Sequence, residues 1–464
     1  MPKKISRRDL LKSSGVALAS AGAAGAILGA GGATPTAHAA AVEILLNKKA
    51  DLPKAQGTRA VIVGGGWGGL TMAKYLKAHA PDWDVVLIET RASFVSCPVS
   101  NLWLGGLINY EFISKSYLDA AKHNDYIFFN ATVLDVDRTK KVIYTEQGSL
   151  GYDYLILSPG IDYDYPAIGM HSPEDQHAIR REFPAGFQPG SEHLTIKRKV
   201  DEFEKGLFVL TVPSGNYRCL PAPYERACMI ASVFKRKKLP AKVLLLDFNP
   251  RVKVKEEGFR AAFEELYKDY IEYITSVTIH TVDVPNKRII GEFEDYDFDD
   301  AAIYPRVRGA KLIETLGLVS VASPQKEARI NIFRNNLVDD TAVYVIGDSR
   351  PMGFSKSGST AQAEARFIAK VITQRHKGIE VEWEAPYTSC YSMVNADPPE
   401  AIFFGSRYLP PLVAYTPMDM ERRVQAWIER GSAFAWRDQN MERTPEMGEA
   451  MMIWARSHIG DMFN

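Results

Sequence analysis

The amino-acid sequence predicts an α/β protein with two Rossmann-like dinucleotide-binding domains and a C-terminal α+β interface domain. Three observations carry that expectation. An apolar stretch at residues 60–63 runs into Gly64-Gly-Gly66-Trp-Gly-Gly69, then a helix-like segment, then a second apolar stretch ending in Glu89. A second strand–helix–strand pattern spans residues 206–247. A further apolar stretch at residues 341–346 ends in Gly347-Asp348, about 280 residues after the first glycine.

Each part of the first unit has a physical reason. Gly64 allows a tight turn, Gly66 lets backbone approach a pyrophosphate, and Gly69 lets helix pack on strand. The helix N-terminus faces the phosphates, and Glu89, 25 residues after Gly64, suits the adenosine ribose hydroxyls. An ordinary glycine-rich turn would not need the strand, helix, strand and acid together.

The chain begins with an address rather than a fold. Residues 1–39 hold Ser6-Arg7-Arg8-Asp9-Leu10-Leu11-Lys12, a Gly/Ala-rich stretch, and Ala37-His38-Ala39. That is the pattern of a twin-arginine signal peptide with a small-x-small cleavage site, which implies export to the periplasm. Its Gly and Ala bury little apolar area, and no later run reaches the roughly 18 apolar residues of a transmembrane span. The segment carries five basic residues and one acid, so the remainder has a formal charge of −4. Such a balance gives no electrostatic reason to bind nucleic acid. At 46% hydrophobic, the chain has ample material for two or three cores.

Four cysteines, Cys97, Cys219, Cys228 and Cys390, are too few for a disulfide scaffold and stand at no metal-ligand spacing. No metal site is expected. No Cys-x-x-Cys-His occurs, so the chain carries no c-type haem of its own. Cys97 lies where the chain leaves the second strand to run along the cofactor, either as a core thiol or as a cofactor contact. Residues 126–130 and 131–137 read as strand segments, with 141–144 pairing beside them. A buried strand at 154–158 ends in Pro159-Gly160, a tight turn suited to pass near a cofactor and hand the chain to the second domain.

The loop of that second domain, Pro213-Ser-Gly-Asn-Tyr-Arg218-Cys219-Leu-Pro221-Ala-Pro223-Tyr-Glu225, lacks the glycine pattern. Proline has no N–H to offer a pyrophosphate, so NADH is not expected there, and the loop presents Cys219 instead. In Gly347-Asp348 the acid can accept bonds from ribityl hydroxyls. Lys356-Ser-Gly358 then opens a helix whose N-terminus favours negative charge on a reduced flavin. Together they point to FAD rather than NAD. The expected domains are 57–170 with 306–381 (FAD-binding), 171–305 (NAD-like, without a phosphate loop) and 382–464 (interface). The last holds Cys390 and many aromatics, which suit either a cover over the flavin or plain core.

At these residues the chain resembles the flavin-binding subunits of flavocytochrome c sulfide dehydrogenases, and more broadly the sulfide:quinone oxidoreductase group of disulfide-reductase-type flavoproteins. The marks are Ser96-Cys97-Pro-Val-Ser-Asn101, Arg218-Cys219-Leu-Pro-Ala-Pro-Tyr-Glu225-Arg226-Ala, Val345-Ile-Gly-Asp348 with Lys356-Ser-Gly358, and Ser389-Cys390-Tyr-Ser. The resemblance covers essentially the whole chain after the signal. It implies a thioether from Cys97 to the flavin and a redox-active disulfide between Cys219 and Cys390 over the ring. It also implies an acid, Glu225, beside the disulfide. Pro98 departs from the family pattern. Cys228 matches no functional cysteine and reads as a small buried hydrophobe.

The implied activity is oxidation of sulfide, with electrons passing through FAD to a separate cytochrome c subunit. Glu225 suits proton transfer, but equally a salt bridge to Arg226 or a helix-start carboxylate. The alternatives are a membrane-associated sulfide:quinone oxidoreductase and an exported NADH-dependent disulfide reductase.

Overall fold

A computed structural model of the chain describes residues 48–464; the signal-peptide expectation at residues 1–39 lies outside the described residues. The described residues form two compact units, 48–54 with 131–152, and 55–130 with 153–464. The smaller unit is a three-stranded antiparallel sheet of Val133–Asp137, Val142–Thr145 and Gly148–Gly151, with Lys49 bridged to Ser149. The strand expected at 141–144 therefore pairs with Val133–Asp137 and not with Ile127–Asn130.

The larger unit is built on two sheets. In the first, Tyr154–Leu157, Arg59–Val63, Asp84–Glu89 and Ile127–Asn130 lie parallel in that order. Asp340–Val345 joins beside Tyr154–Leu157, and a short antiparallel strand, Asn336–Leu337, lies outside it. Parallel strands covered on both faces read as continuous apolar runs, and Ala60, Val61 and Ile62 are fully buried. Helix Trp67–His79 follows the first strand, and helix Gly358–His376, which follows the strand at Asp340–Val345, packs against helix Trp67–His79.

The second sheet, Ile271–Ile274, Ala241–Asp247, Gly206–Val212 and Asp300–Ala302, is parallel throughout, unlike the first. Helix Ala222–Lys237 follows Gly206–Val212, with every residue from Ala222 to Phe234 buried. Its last turn carries Lys235, Arg236 and Lys237, the charges a helix C-terminus favours. Two dinucleotide-type sheets in one chain agree with the expected α/β, disulfide-reductase-type fold.

A three-stranded antiparallel sheet, Tyr387–Ala396, Pro399–Leu409 and Ala433–Thr444, forms the C-terminal part, closed by helix Pro445–Phe463. Thr444 caps that helix by accepting from Met447 N–H. Trp454 on it stacks on Trp67 at 6.1 Å, which locks the C-terminal helix onto the first nucleotide helix. Some aromatics here are plain core, such as the fully buried Trp427, whereas Trp436 is half exposed.

Candidate functional site

The phosphate loop requires its glycines for different reasons. Gly64 has φ +103°, and a side-chain carbon on it would lie 2.3 Å from Ser158 O. One on Gly69 would lie 1.8 Å from Gly64 O, so the helix could not approach the strand. Gly66 is different, because nothing lies within 4 Å of where its side chain would be. It is also the N-cap of helix Trp67–His79, with no side-chain cap, so the first-turn N–H groups keep their capacity for an anion.

Glu89 is buried and ties the loop to the second strand: Gly65 N–H donates to Oε2 (2.7 Å). Arg91 Nε donates to Oε1 (3.0 Å) and Nη2 to Oε2 (3.1 Å). A ribose hydroxyl must therefore share this carboxylate with Arg91. Burial pushes the Glu89 carboxyl up, but Arg91 and the backbone N–H donors outweigh it and hold the group below its ordinary 4.5. A depressed carboxyl contributes stability that is complete above the unfolded value and is lost as pH falls through the folded one. The melting temperature should thus fall as acid is added below pH 4.5. Glu89→Gln should cost about 2 kcal/mol at neutral pH and flatten that acid limb, as thermal unfolding against pH would read.

Three further segments meet this loop. Trp67 Nε1 donates to Ser96 Oγ (3.2 Å), which fixes the Cys97 turn beside the phosphate loop. A side-chain carbon on Gly358 would lie 2.7 Å from the Trp67 ring and 2.8 Å from Pro98 Cγ. Pro98, the departure from the family pattern, thus packs on the start of the second helix. Gly160 has φ +79°, and its missing side chain leaves room for Arg218 Nη2. Arg218 Nε donates to Asp348 Oδ2 (2.6 Å) and Nη1 to Phe187 O (2.7 Å). Lys356 is fully buried, ion-paired with Glu327, and donates to Asp348 O (2.8 Å). Its side chain holds the Asp348 turn, while its carbonyl accepts from Cys219 N–H (2.7 Å).

Cys219 has φ +56°, an uncommon conformation for a residue with a side chain. It sits just before helix Ala222–Lys237, and Cys390 lies on strand Tyr387–Ala396 opposite Phe404. All four cysteines are free thiols. Cys97, Cys219 and Cys390 are each partly accessible, whereas Cys228 is fully buried within its helix. Burial pushes the Cys219 thiol well above its ordinary value; Cys390, Glu225 and Cys97 push it further, and Lys255 pulls it back. Cys390, distant in sequence, is thus close enough to Cys219 to disfavour a thiolate there.

Glu225 stands in the first turn of its helix, where Asn101 Nδ2 donates to Oε2 (2.7 Å) and Met393 N–H to Oε1 (2.8 Å). Burial raises its pKa, against these two donors and the charges of Lys255 and Arg226. The alternative of a salt bridge to Arg226 is not what forms. Arg226 instead donates to Ala185 O (2.6 Å), Gly186 O (2.7 Å) and Asn101 Oδ1 (3.1 Å), and lies over the Phe187 ring.

The second sheet's own nucleotide site is closed by the chain itself. Asp247, at the strand end where a ribose would be held, is fully buried. It accepts from Tyr224 OH (2.7 Å), Tyr273 OH (2.8 Å) and Asn249 N–H (2.8 Å). Around the first sheet the residues fit FAD. The Gly66 cradle is open, and the Gly358 helix start meets Trp67 and Pro98 beside it. His193 adds to the fit, with both ring nitrogens buried and unpartnered. Burial and the nearby Arg226, Arg218 and Arg91 keep that ring neutral, with its pKa lowered to about 3.

Sequence reasoning missed Arg91, His193 and Lys255. The first lies two residues after Glu89, while the other two carry no local signal.

Comparison with known proteins agrees with this geometry. Residues 194–305 match the family model described as the central part of the sulfide dehydrogenase (flavocytochrome c) flavoprotein chain. Residues 58–182 match that of pyridine nucleotide-disulphide oxidoreductases. The chain is 24% identical over 378 residues to the sulfide-quinone reductase of Aquifex aeolicus, covering 76% of this chain and 84% of that one. It is 51% identical over 43 residues to the sulfide dehydrogenase (flavocytochrome c) flavoprotein chain of Chlorobaculum thiosulfatiphilum, 9% of this chain and 90% of that sequence. The solved sulfide:quinone oxidoreductase of Aquifex aeolicus shares the fold with TM-score 0.65 at 15% identity, over 88% of this chain and 92% of that one.

Proposed function

We propose that this chain, which belongs to the sulfide dehydrogenase and sulfide-quinone reductase-like flavoproteins, oxidises sulfide at a Cys219–Cys390 pair and delivers the electrons, through its FAD, to a separate cytochrome c subunit in the periplasm. The observation that carries the reading is that the strand of Cys390 packs on the helix that Cys219 precedes, with Met393 N–H of that strand donating to Glu225 of that helix, and that both thiols are partly accessible. In the oxidised pair, hydrosulfide attacks one sulfur. A new S–S bond forms to the incoming atom, the Cys219–Cys390 bond breaks, and the other cysteine leaves as a thiolate bearing the electron pair. Glu225, buried and with a raised pKa, suits holding the proton that the substrate gives up.

Gly64, Gly66 and Gly69 with the first helix would hold the pyrophosphate of FAD, Glu89 the ribose, and Gly160, Asp348 and the Gly358 helix end the flavin half. Bound there, FAD supplies a two-electron acceptor that can return its electrons singly, as a haem partner requires. Cys97 is the residue for a thioether to it. Lys356 supports this site from behind, through its ion pair with Glu327.

Among the described residues no helix is long and apolar enough to cross a membrane. The C-terminal helix turns Met451, Ala455, Ile459 and Met462 into the chain's own interior. The inward turn of that helix's apolar side chains supports a cytochrome acceptor over a quinone held in lipid. The test is anaerobic titration of the purified protein with sulfide, followed at the flavin absorbance. Rapid bleaching, then reduction of added cytochrome c but not of a short-chain quinone, is the expected result. The opposite preference would favour the quinone-reducing alternative, and bleaching by NADH would favour the reductase. Acid precipitation should leave yellow colour in the pellet for the unaltered chain and in the supernatant for Cys97→Ser.

A further inference from the structure

Among the described residues four lysine and arginine side chains are buried; two have a carboxylate partner, and a third, Arg226, spreads its guanidinium over three neutral oxygens and the Phe187 ring. Lys356 pairs with Glu327, and Arg350 with Glu364 at 2.8 Å. Lys255 does not. It is 7% exposed, it has φ +58° at the start of helix Glu256–Ala261, and it forms no ion pair among the described residues. Its ammonium donates only to neutral oxygens, Cys390 O (2.6 Å) and Ser392 Oγ (2.9 Å). An ammonium has three N–H donors, so one remains. A buried cation held by neutral groups is costly unless an anion joins it.

Nothing in the fold alone calls for a charge there. The left-handed backbone places this lysine across the strand that carries Cys390, and its field reaches both Cys219 and Glu225.

We propose that Lys255 is the anion-holding group of the thiol site: its ammonium draws hydrosulfide to the Cys219–Cys390 pair and stabilises the thiolate released when the S–S bond opens. The idea rests on the function proposed above and adds to it the charge of the species the site selects. Hydrosulfide is the anion; neutral thiols of similar size gain nothing from the ammonium. Cys390, Glu225 and Cys97 oppose a thiolate at Cys219 and Lys255 favours it, while the neighbouring cation Arg218 is already paired with Asp348.

The test uses the flavin-loaded protein after reduction of its disulfide, with Lys255→Gln and Lys255→Arg. Glutamine keeps donors for Cys390 O and Ser392 but has no charge; arginine keeps the charge. The rate of iodoacetamide labelling at Cys219, read peptide by peptide against pH, should shift upward by about one pH unit in Lys255→Gln and remain near the unaltered profile in Lys255→Arg. The second-order rate of flavin bleaching by sulfide should fall about tenfold in the glutamine variant, with little change at saturating sulfide. Superimposed labelling profiles for Lys255→Gln and the unaltered chain would overturn the proposal. Should the glutamine variant not fold, a labelling profile displaced in Lys255→Arg as far as one pH unit would overturn it as well. The labelling arm does not depend on sulfide chemistry. If sulfide failed to bleach the unaltered protein, the functional reading would fall while the labelling result still decided the role of the lysine.

Discussion

Cys219→Ser should give a folded, yellow protein that sulfide bleaches at least about a thousandfold more slowly than the unaltered chain. A hydroxyl oxygen cannot form the S–S bond that makes this site an electrophile, and the serine alkoxide is a far poorer leaving group than a thiolate. The substitution is small in every other respect. Serine tolerates the φ of +56° as well as cysteine does, and the backbone bond from residue 219 N–H to Lys356 O remains. Flavin content and melting temperature should therefore stay near those of the parent. Cys228→Ser is the control, since that thiol is fully buried on helix Ala222–Lys237; it should cost about 1 kcal/mol of stability and leave the bleaching rate alone. A Cys219→Ser protein that sulfide reduces at the parental rate would remove the thiol pair from the mechanism.

Lys356→Met should have the largest effect on stability, about 3–5 kcal/mol, because it leaves the Glu327 carboxylate buried without its cation. A fall in melting temperature of roughly 3–6 °C is expected for such a loss in a chain of this size. The methionine would also lose the donation to Asp348 O, loosening the turn that positions Asp348 against Arg218. Weaker flavin retention should accompany the lower melting temperature. Combining it with Glu327→Leu removes both charges together, and the double variant should regain most of the lost stability. If Lys356→Met alone melts with the parent, the ion pair carries no weight, and the lysine would have to be understood through the cofactor.

The sequence alone determined the elements that depend on near neighbours. Alternation of apolar runs with glycine turns identified two dinucleotide-type units, and the spacing from Gly64 to Glu89 located the phosphate loop. The lack of a Gly-x-Gly-x-x-Gly pattern from Pro213 to Glu225, with three prolines in its place, marked the second loop as something other than a phosphate cradle. These are consequences of backbone sterics and of N–H supply, both set within a few residues.

The fate of individual charges was decided elsewhere. Glu225 lies next to Arg226 in the chain, yet the two diverge on the helix, and Arg226 turns to the carbonyls of Ala185 and Gly186. Asp247 could have been a ribose acceptor until Tyr224 and Tyr273 closed over it. Lys255 reads as one more polar loop residue until the strand of Cys390 covers it. The cost of a buried charge depends on which polar groups surround it, and here those groups arrive from other segments, 23 residues away for Tyr224 and Asp247 and 135 for Lys255 and Cys390. Only the tertiary packing brings them together.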